Sequence, residues 1–128
     1  MTPRLLLIDD NRDFQDVLSR RLTSQGFAVR TASSGRAGLA AALQEPFDLI
    51  LLDMLMPEQD GIATYQELRA HPETRAIPVI LLTAIAVENH WEPMPYETDG
   101  PAFVMGKPYD YMVLVERIRQ VLGTPPHQ

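Results

Sequence analysis

Asp9 and Asp10 stand directly after the aliphatic run Leu5-Leu6-Leu7-Ile8, and Asp53 directly after Leu49-Ile50-Leu51-Leu52. Carboxylates brought together from two such run ends repel one another. Two unit charges about 4 Å apart cost roughly 4 kcal/mol at an effective dielectric of about 20. A cluster of this kind persists only with a cation or a proton in it, and hard oxygen donors favour Mg²⁺ or Ca²⁺. Thr83 follows a third apolar run, Pro78-Val79-Ile80-Leu81-Leu82, and Lys107-Pro108 follows the segment from Ala102 to Met105. The run ends thus offer paired acids, a further acid, a hydroxyl and an ammonium. Such a set can hold a metal and surround an anionic group with positive charge. Each residue alone has a plainer reading: Asp10 as a helix cap, Asp53 as a solvated strand end, Thr83 as a side-chain turn, Lys107 as a surface lysine.

The elements that must position these residues are legible from periodicity. The apolar runs are short and uninterrupted, which suits strands buried on both faces. In an open α/β sheet, chemistry gathers in the crevice at the carboxyl ends of the strands. Phe14, Val17, Leu18 and Leu22 make one face of a helix, stopped by Gly26, and Phe27-Ala28-Val29 reads as a second strand. Ser33 or Ser34 caps a second helix through Ala37, Ala40, Ala41 and Leu43, ended near Pro46, and the third strand covers 48–52. Pro57 and Gly61 punctuate a loop before a third helix with Ile62, Tyr65 and Leu68 inward. The last helix, from about Asp110 to Leu122, presents Leu114, Val115, Ile118, Val121 and Leu122. Strands alternating with helices predict right-handed crossovers and a parallel sheet covered on both sides.

Composition narrows the function. At 128 residues the chain suits one domain able to bury its own core, and 45% hydrophobic with 22% charged residues is ordinary globular usage. A net charge of −6 without a basic run argues against direct nucleic-acid binding. Zero cysteines remove disulfides, thiolate catalysis and zinc–thiolate sites. The run from Leu5 to Ile8 is too short for a signal peptide or a membrane span, so a cytoplasmic location is expected. His71, His90 and His127 lack metal-ligand spacing. Gly35 and Gly38 lack the Lys-Ser/Thr ending of a phosphate loop. Met54, Met56 and Met105 read as core filling.

Asp9-Asp10, Asp53 within Leu51-Leu52-Asp53-Met54-Leu55-Met56-Pro57, Asp60-Gly61, Thr83-Ala84 and Lys107-Pro108 occur in this order, each acid, hydroxyl and ammonium at a strand end. In this the chain resembles the receiver domain of two-component response regulators, from about residue 4 to 122. The resemblance implies a flavodoxin-like, doubly wound, five-stranded parallel sheet in the order 2-1-3-4-5. It makes 1–123 the receiver domain and 124–128 a tail or the start of a linker. It implies that Asp53 accepts a phosphoryl group from a sensor histidine kinase or histidine phosphotransfer protein. Asp9, Asp10, Asp53 and the backbone carbonyl of Leu55 would hold Mg²⁺. Lys107 would neutralise the transferring phosphoryl and Thr83 would hydrogen-bond it. Such a domain promotes only its own phosphorylation and dephosphorylation, and it switches contacts with a protein output partner. It acts on neither nucleic acid nor membrane, as a monomer or weak dimer.

The sequence departs from that family between Thr83 and Lys107. This stretch is slightly longer than receivers use and contains Pro93, Pro95, Gly100 and Pro101. An interior proline costs a helix about 3 kcal/mol. The expected fourth helix is therefore short or replaced by a loop, with at most a turn around Val87 to Trp91. Val104 occupies the place of the family's switch aromatic, with Phe103 one position earlier and facing the other way. That puts the usual coupling to Thr83 in question and points to movement of the loop bearing Trp91 and Tyr96. Leu55 and Ile85 lie where receivers guide an attacking water, and apolar side chains there predict slow self-dephosphorylation. A phosphorylation-independent interaction adaptor is the alternative reading. A haloacid-dehalogenase-type phosphatase would need an Asp where Leu55 stands.

Overall fold

The computed structural model of the chain describes residues 2–53, 61–83, 92–93, 102–106 and 111–123. In chain order the elements are β1 (Arg4–Ile8), α1 (Arg12–Ser24), β2 (Ala28–Ala32), α2 (Gly35–Gln44), β3 (Leu49–Asp53), α3 (Gly61–Ala70), β4 (Val79–Thr83), β5 (Glu92–Pro93), β6 (Ala102–Gly106) and α4 (Tyr111–Val121). The sheet runs β2-β1-β3-β4-β6-β5. All pairings are parallel except β5 with β6. The order 2-1-3-4 and the next parallel strand match expectation, with β6 as the anticipated fifth strand.

The two-residue β5 is an addition. An irregular loop is expected from the prolines after Trp91, yet Glu92 and Pro93 pair antiparallel with Val104 and Phe103 at the sheet's outer edge. An edge is where a sheet tolerates proline, because no neighbour needs its missing N–H. The rest of the 84–101 region, including the question of a fourth helix, lies outside the described residues.

Leu5 to Ile8, Leu49 to Leu52 and Val79 to Leu82 are fully buried, as strands covered on both faces must be. Alternation along these strands sorts the core into two layers. Leu6, Ile8, Ile50, Leu52, Val79 and Leu81 pack with Ala41 and Ala42 of α2 and Tyr65 and Leu68 of α3. Leu5, Leu7, Leu49, Leu51, Ile80 and Leu82 pack with Leu18 and Leu22 of α1 and Leu114, Val115 and Ile118 of α4. Along β1 and β3 the second layer takes the odd-numbered residues, and Asp9 and Asp53 continue that alternation toward the α1 and α4 side.

Two helical faces differ from expectation. On α1, Val17 is exposed and Gln15 is buried with Leu18 and Leu22. The inward stripe is therefore 15-18-22, with Phe14 flanking it. On α2, Ala37, Ala40 and Leu43 face outward, and Gly35, Gly38, Ala41 and Ala42 are buried. Small size decides that face: a Cβ on Gly38 would lie 2.3 Å from Ile8 Cδ1 and 2.6 Å from Ile8 Cγ1. The glycine lets α2 sit directly on β1.

Arg69, near the end of α3, is a charged residue in the interior, 7% exposed. Its guanidinium donates to the Tyr65 hydroxyl at 3.2 Å and to the carbonyls of Thr74, Arg75 and Ile77 at 3.3, 2.9 and 2.8 Å. It also stacks on the Tyr65 ring at 4.8 Å. One side chain thus ties together three carbonyls of the loop leading into β4.

Candidate metal centre

The pairing of β1 with β3 aligns Ile8 with Leu52, so the residues one step further, Asp9 and Asp53, emerge side by side. Carboxylate oxygens of Asp9, Asp10 and Asp53 lie within 4.8 Å of one another. Asp9 is 1% exposed and Asp53 4%, whereas Asp10 is open to solvent. Two of the three charges are therefore held where water screens them poorly. Three oxygen donors converging from a strand pair and the adjoining turn fit a hard divalent cation, and their mixed burial leaves one side open for water or substrate oxygens.

Local sequence explains how the acids are held. The Asp9 amide donates to the carbonyl of Ala32 at 3.0 Å, carrying β1 pairing one residue beyond the strand. The Asp9 carboxylate accepts from the Asn11 amide at 2.8 Å. Asn11, not Asp10, caps α1: its side chain accepts from the Phe14 amide at 3.0 Å. The capping alternative for Asp10 falls away, and its carboxylate joins the cluster instead. The N-terminus of α1 also carries the positive end of the helix dipole, which favours anionic groups beside it.

Gln15 completes the arrangement from below. Its buried side-chain amide donates to the carbonyl of Asp9 and, at 2.9 Å, to that of Ala32. Sequence reasoning missed this residue, although a glutamine in line with Leu18 and Leu22 was a signal of an inward polar group. Gly38 was missed likewise, because only its contact with Ile8 reveals its role.

Of the other expected participants, Thr83 ends β4 and pairs with Gly106, the residue before Lys107. The backbone thus brings the Thr83 and Gly106 strand ends to the same edge of the sheet as the acids. Lys107 itself, Leu55 and Asp60 lie outside the described residues, as does the 124–128 tail.

Comparison with known proteins agrees with this geometry. The family described as response regulator receiver domain matches residues 5–119. The chain is 34% identical over 121 residues to the response regulator PleD of Caulobacter vibrioides, covering 94% of this chain and 26% of that protein. It is 35% identical over 121 residues to the DNA-binding dual master transcriptional regulator RpaA of Synechocystis, covering 94% and 49%. The chain therefore spans about a quarter to a half of the length of these relatives. Among solved structures, the receiver domain of sensor histidine kinase PA1611 from Pseudomonas aeruginosa, with a magnesium ion coordinated in its active-site cleft, superposes with a TM-score of 0.80. It is 25% identical and covers 97% of this chain and 100% of that one. The chemotaxis protein CheY4 of Vibrio cholerae gives a TM-score of 0.77 at 25% identity, covering 94% and 99%. No helix among the described residues is long and apolar enough to cross a membrane. Acids at the ends of adjacent parallel strands, a sheet in the receiver order and a match over nearly the whole chain lead to one conclusion: the chain belongs to the response regulator receiver domain family.

Proposed function

We propose that this domain is a phosphorylation-controlled switch in which Asp53 accepts a phosphoryl group from a phosphohistidine. The donor is a sensor histidine kinase or a histidine phosphotransfer protein, and the reaction depends on Mg²⁺. The observation that carries this reading is the convergence of Asp9, Asp10 and Asp53 at the carboxyl ends of adjacent strands.

The chemistry follows from the residues. A carboxylate oxygen of Asp53 attacks phosphorus, the P–N bond to the donor imidazole breaks with its electron pair moving to nitrogen, and an acyl phosphate forms on Asp53. Asp53 is suited to this because a carboxylate forms a labile acyl phosphate and strand β3 fixes its direction. Asp9, Asp10, Asp53 and the carbonyl of Leu55 are the residues that would hold the ion. Bound Mg²⁺ supplies neutralisation of the charge on the transferring phosphoryl. Lys107 adds a second positive charge to the same group, and Thr83 hydrogen-bonds one of its oxygens once it is on Asp53. The domain then acts by altering contacts with a protein partner, in the cytoplasm, and turns over no other substrate.

The test is intact mass after incubation with Mg²⁺ and acetyl phosphate, with Asp53→Ala alongside. A single phosphoryl adduct on the wild-type chain that the variant lacks supports the assignment. An adduct that persists in Asp53→Ala refutes Asp53 as acceptor.

A further inference from the structure

Gln15 lies on α1, which the proposed chemistry does not use, yet its side chain is 4% exposed and reaches beneath the acid cluster. A buried primary amide must place both N–H groups, and Gln15 places them on the carbonyls of Asp9 and Ala32. Those two carbonyls sit at the ends of neighbouring strands. The second already receives the Asp9 amide at 3.0 Å, so Gln15, Asp9 and Ala32 form a closed set of backbone bonds.

The consequence falls on Asp10. The Asp9–Asp10 peptide is planar and trans, so fixing the direction of its carbonyl fixes the opposed Asp10 amide and the path of the chain into Asp10. Asp10 is exposed and follows the last residue of β1 by two, so the sheet itself does not hold it. Its carboxylate nonetheless lies within 4.8 Å of two other acids. Repulsion among them drives the exposed member outward in the metal-free chain, and a locked peptide opposes that drift.

We propose that Gln15 is a positioning residue: by anchoring the Asp9–Asp10 peptide from within α1 it keeps the Asp10 carboxylate in the cluster before any cation arrives. The role rests on reading the cluster as a cation site, but the anchoring itself involves protein groups alone. Groups that orient the ligands of a metal typically change its affinity by about 10- to 100-fold when removed.

Two variants separate this from a plain packing role. Gln15→Met keeps the length and loses both donors; Val17→Ala alters the same helix on its exposed face and serves as control. The ¹⁵N-labelled chain is titrated with MgCl₂ and followed by amide chemical shifts, and amide hydrogen exchange is measured without metal. Gln15→Met is expected to bind Mg²⁺ about tenfold or more weakly than wild type and to lose exchange protection at Asp9 and Asn11, while Val17→Ala matches wild type in both. Mg²⁺ affinity within about threefold of wild type in a folded Gln15→Met chain overturns the proposal. If wild type itself binds no Mg²⁺, the cation reading fails, and unchanged protection at Asp9 and Asn11 in Gln15→Met overturns the anchoring separately. Should Gln15→Met not fold, the wild-type side-chain amide decides. Slowed exchange of its two protons supports the anchor, and exchange at the rate of a solvent-exposed glutamine overturns it.

Discussion

Replacing Gly38 by alanine sets two effects of opposite sign against each other, and the structure says which wins. Gly38 lies inside α2, and its backbone is not among the positive-φ glycines, which among the described residues are Gly26 at 96° and Gly123 at 73°. Alanine is therefore permitted by the backbone and should gain about 1 kcal/mol of helix propensity. Against this, the new Cβ meets Ile8 at 2.3 Å on Cδ1, 2.6 Å on Cγ1 and 3.3 Å on Cγ2. Ile8 is fully buried among Leu6, Ile50, Leu52, Ala41 and Ala42, and its χ1 is stiff because it is β-branched. With two contacts below 3.0 Å, the cost belongs at the upper end of overpacking, about 3 kcal/mol. The net expectation is a loss of about 1–2 kcal/mol, or about 4 °C in Tm per kcal/mol for a chain of this size. Ile8→Val removes Cδ1, the atom in the shortest contact, and alone costs about 1 kcal/mol. In the double variant the two losses should add to less than their sum, with a coupling of about 1 kcal/mol. Urea denaturation followed by circular dichroism measures all four corners of this cycle. A Gly38→Ala chain more stable than wild type, or a strictly additive cycle, would show that α2 does not rest on Ile8 as described.

Three further expectations follow from other parts of the molecule. Arg69→Met should cost about 3 kcal/mol, because it leaves the carbonyls of Thr74, Arg75 and Ile77 without their shared donor; Arg69→Lys should recover less than half, since an ammonium lacks the planar fork, and full recovery in urea denaturation would refute the argument. Burial raises the Tyr111 hydroxyl above its ordinary 10.0, outweighing the nearby Ser24 hydroxyl and the Arg21 and Arg119 charges. The folded chain thus favours the neutral phenol, so its contribution is intact below 10.0 and lost as pH rises from there through the higher folded-state value. Tyr111→Phe should lessen the fall in stability as pH rises above 10.0, and an unchanged fall would count against the assignment. Finally, Leu55→Asn with Ile85→Glu should shorten the lifetime of the phosphorylated domain by guiding water to it; decay no faster than wild type by intact mass would sink that idea.

The strands were legible because burial on both faces leaves an uninterrupted aliphatic signature, and the acids were legible because they end those runs abruptly. Helical faces were less so. Phe14, Val17, Leu18 and Leu22 satisfy a helical period, yet the helix turned Gln15 inward and Val17 outward. A buried amide with two waiting carbonyls outcompetes a modest apolar side chain for that position, and hydrophobic periodicity cannot register such a trade. On α2 the signal was weak for another reason: in an alanine-rich helix nearly every face is apolar, and glycine marked the inward one by size alone. The cap was misplaced by one residue: Asp10 reads as a cap by residue type, but Asn11 is as good a cap and stands one place on. Asn11 took the task and left Asp10 to the cluster.

The burial of Asp53 bears on how a phosphoryl donor must behave. β3 is paired on both sides, by β1 and β4, and Asp53 itself aligns with Leu82 of β4. With 4% of its surface exposed and its backbone held in the middle of the sheet, Asp53 cannot swing outward without breaking strand pairing on a fully buried element. Under the function proposed above, the donor histidine has to be brought to the acid, through the crevice that the strand ends leave open. Asp9 is equally fixed, by Ala32, Asn11 and Gln15. Asp10, its backbone anchored through Gln15, keeps an exposed side chain, and that side chain is the part of the cluster able to rotate slightly as a cation takes up the charge. Two rigid carboxylates and one adjustable neighbour suit a site that must accept a bulky anion without first being reorganised, since a preorganised field costs nothing at the moment of transfer.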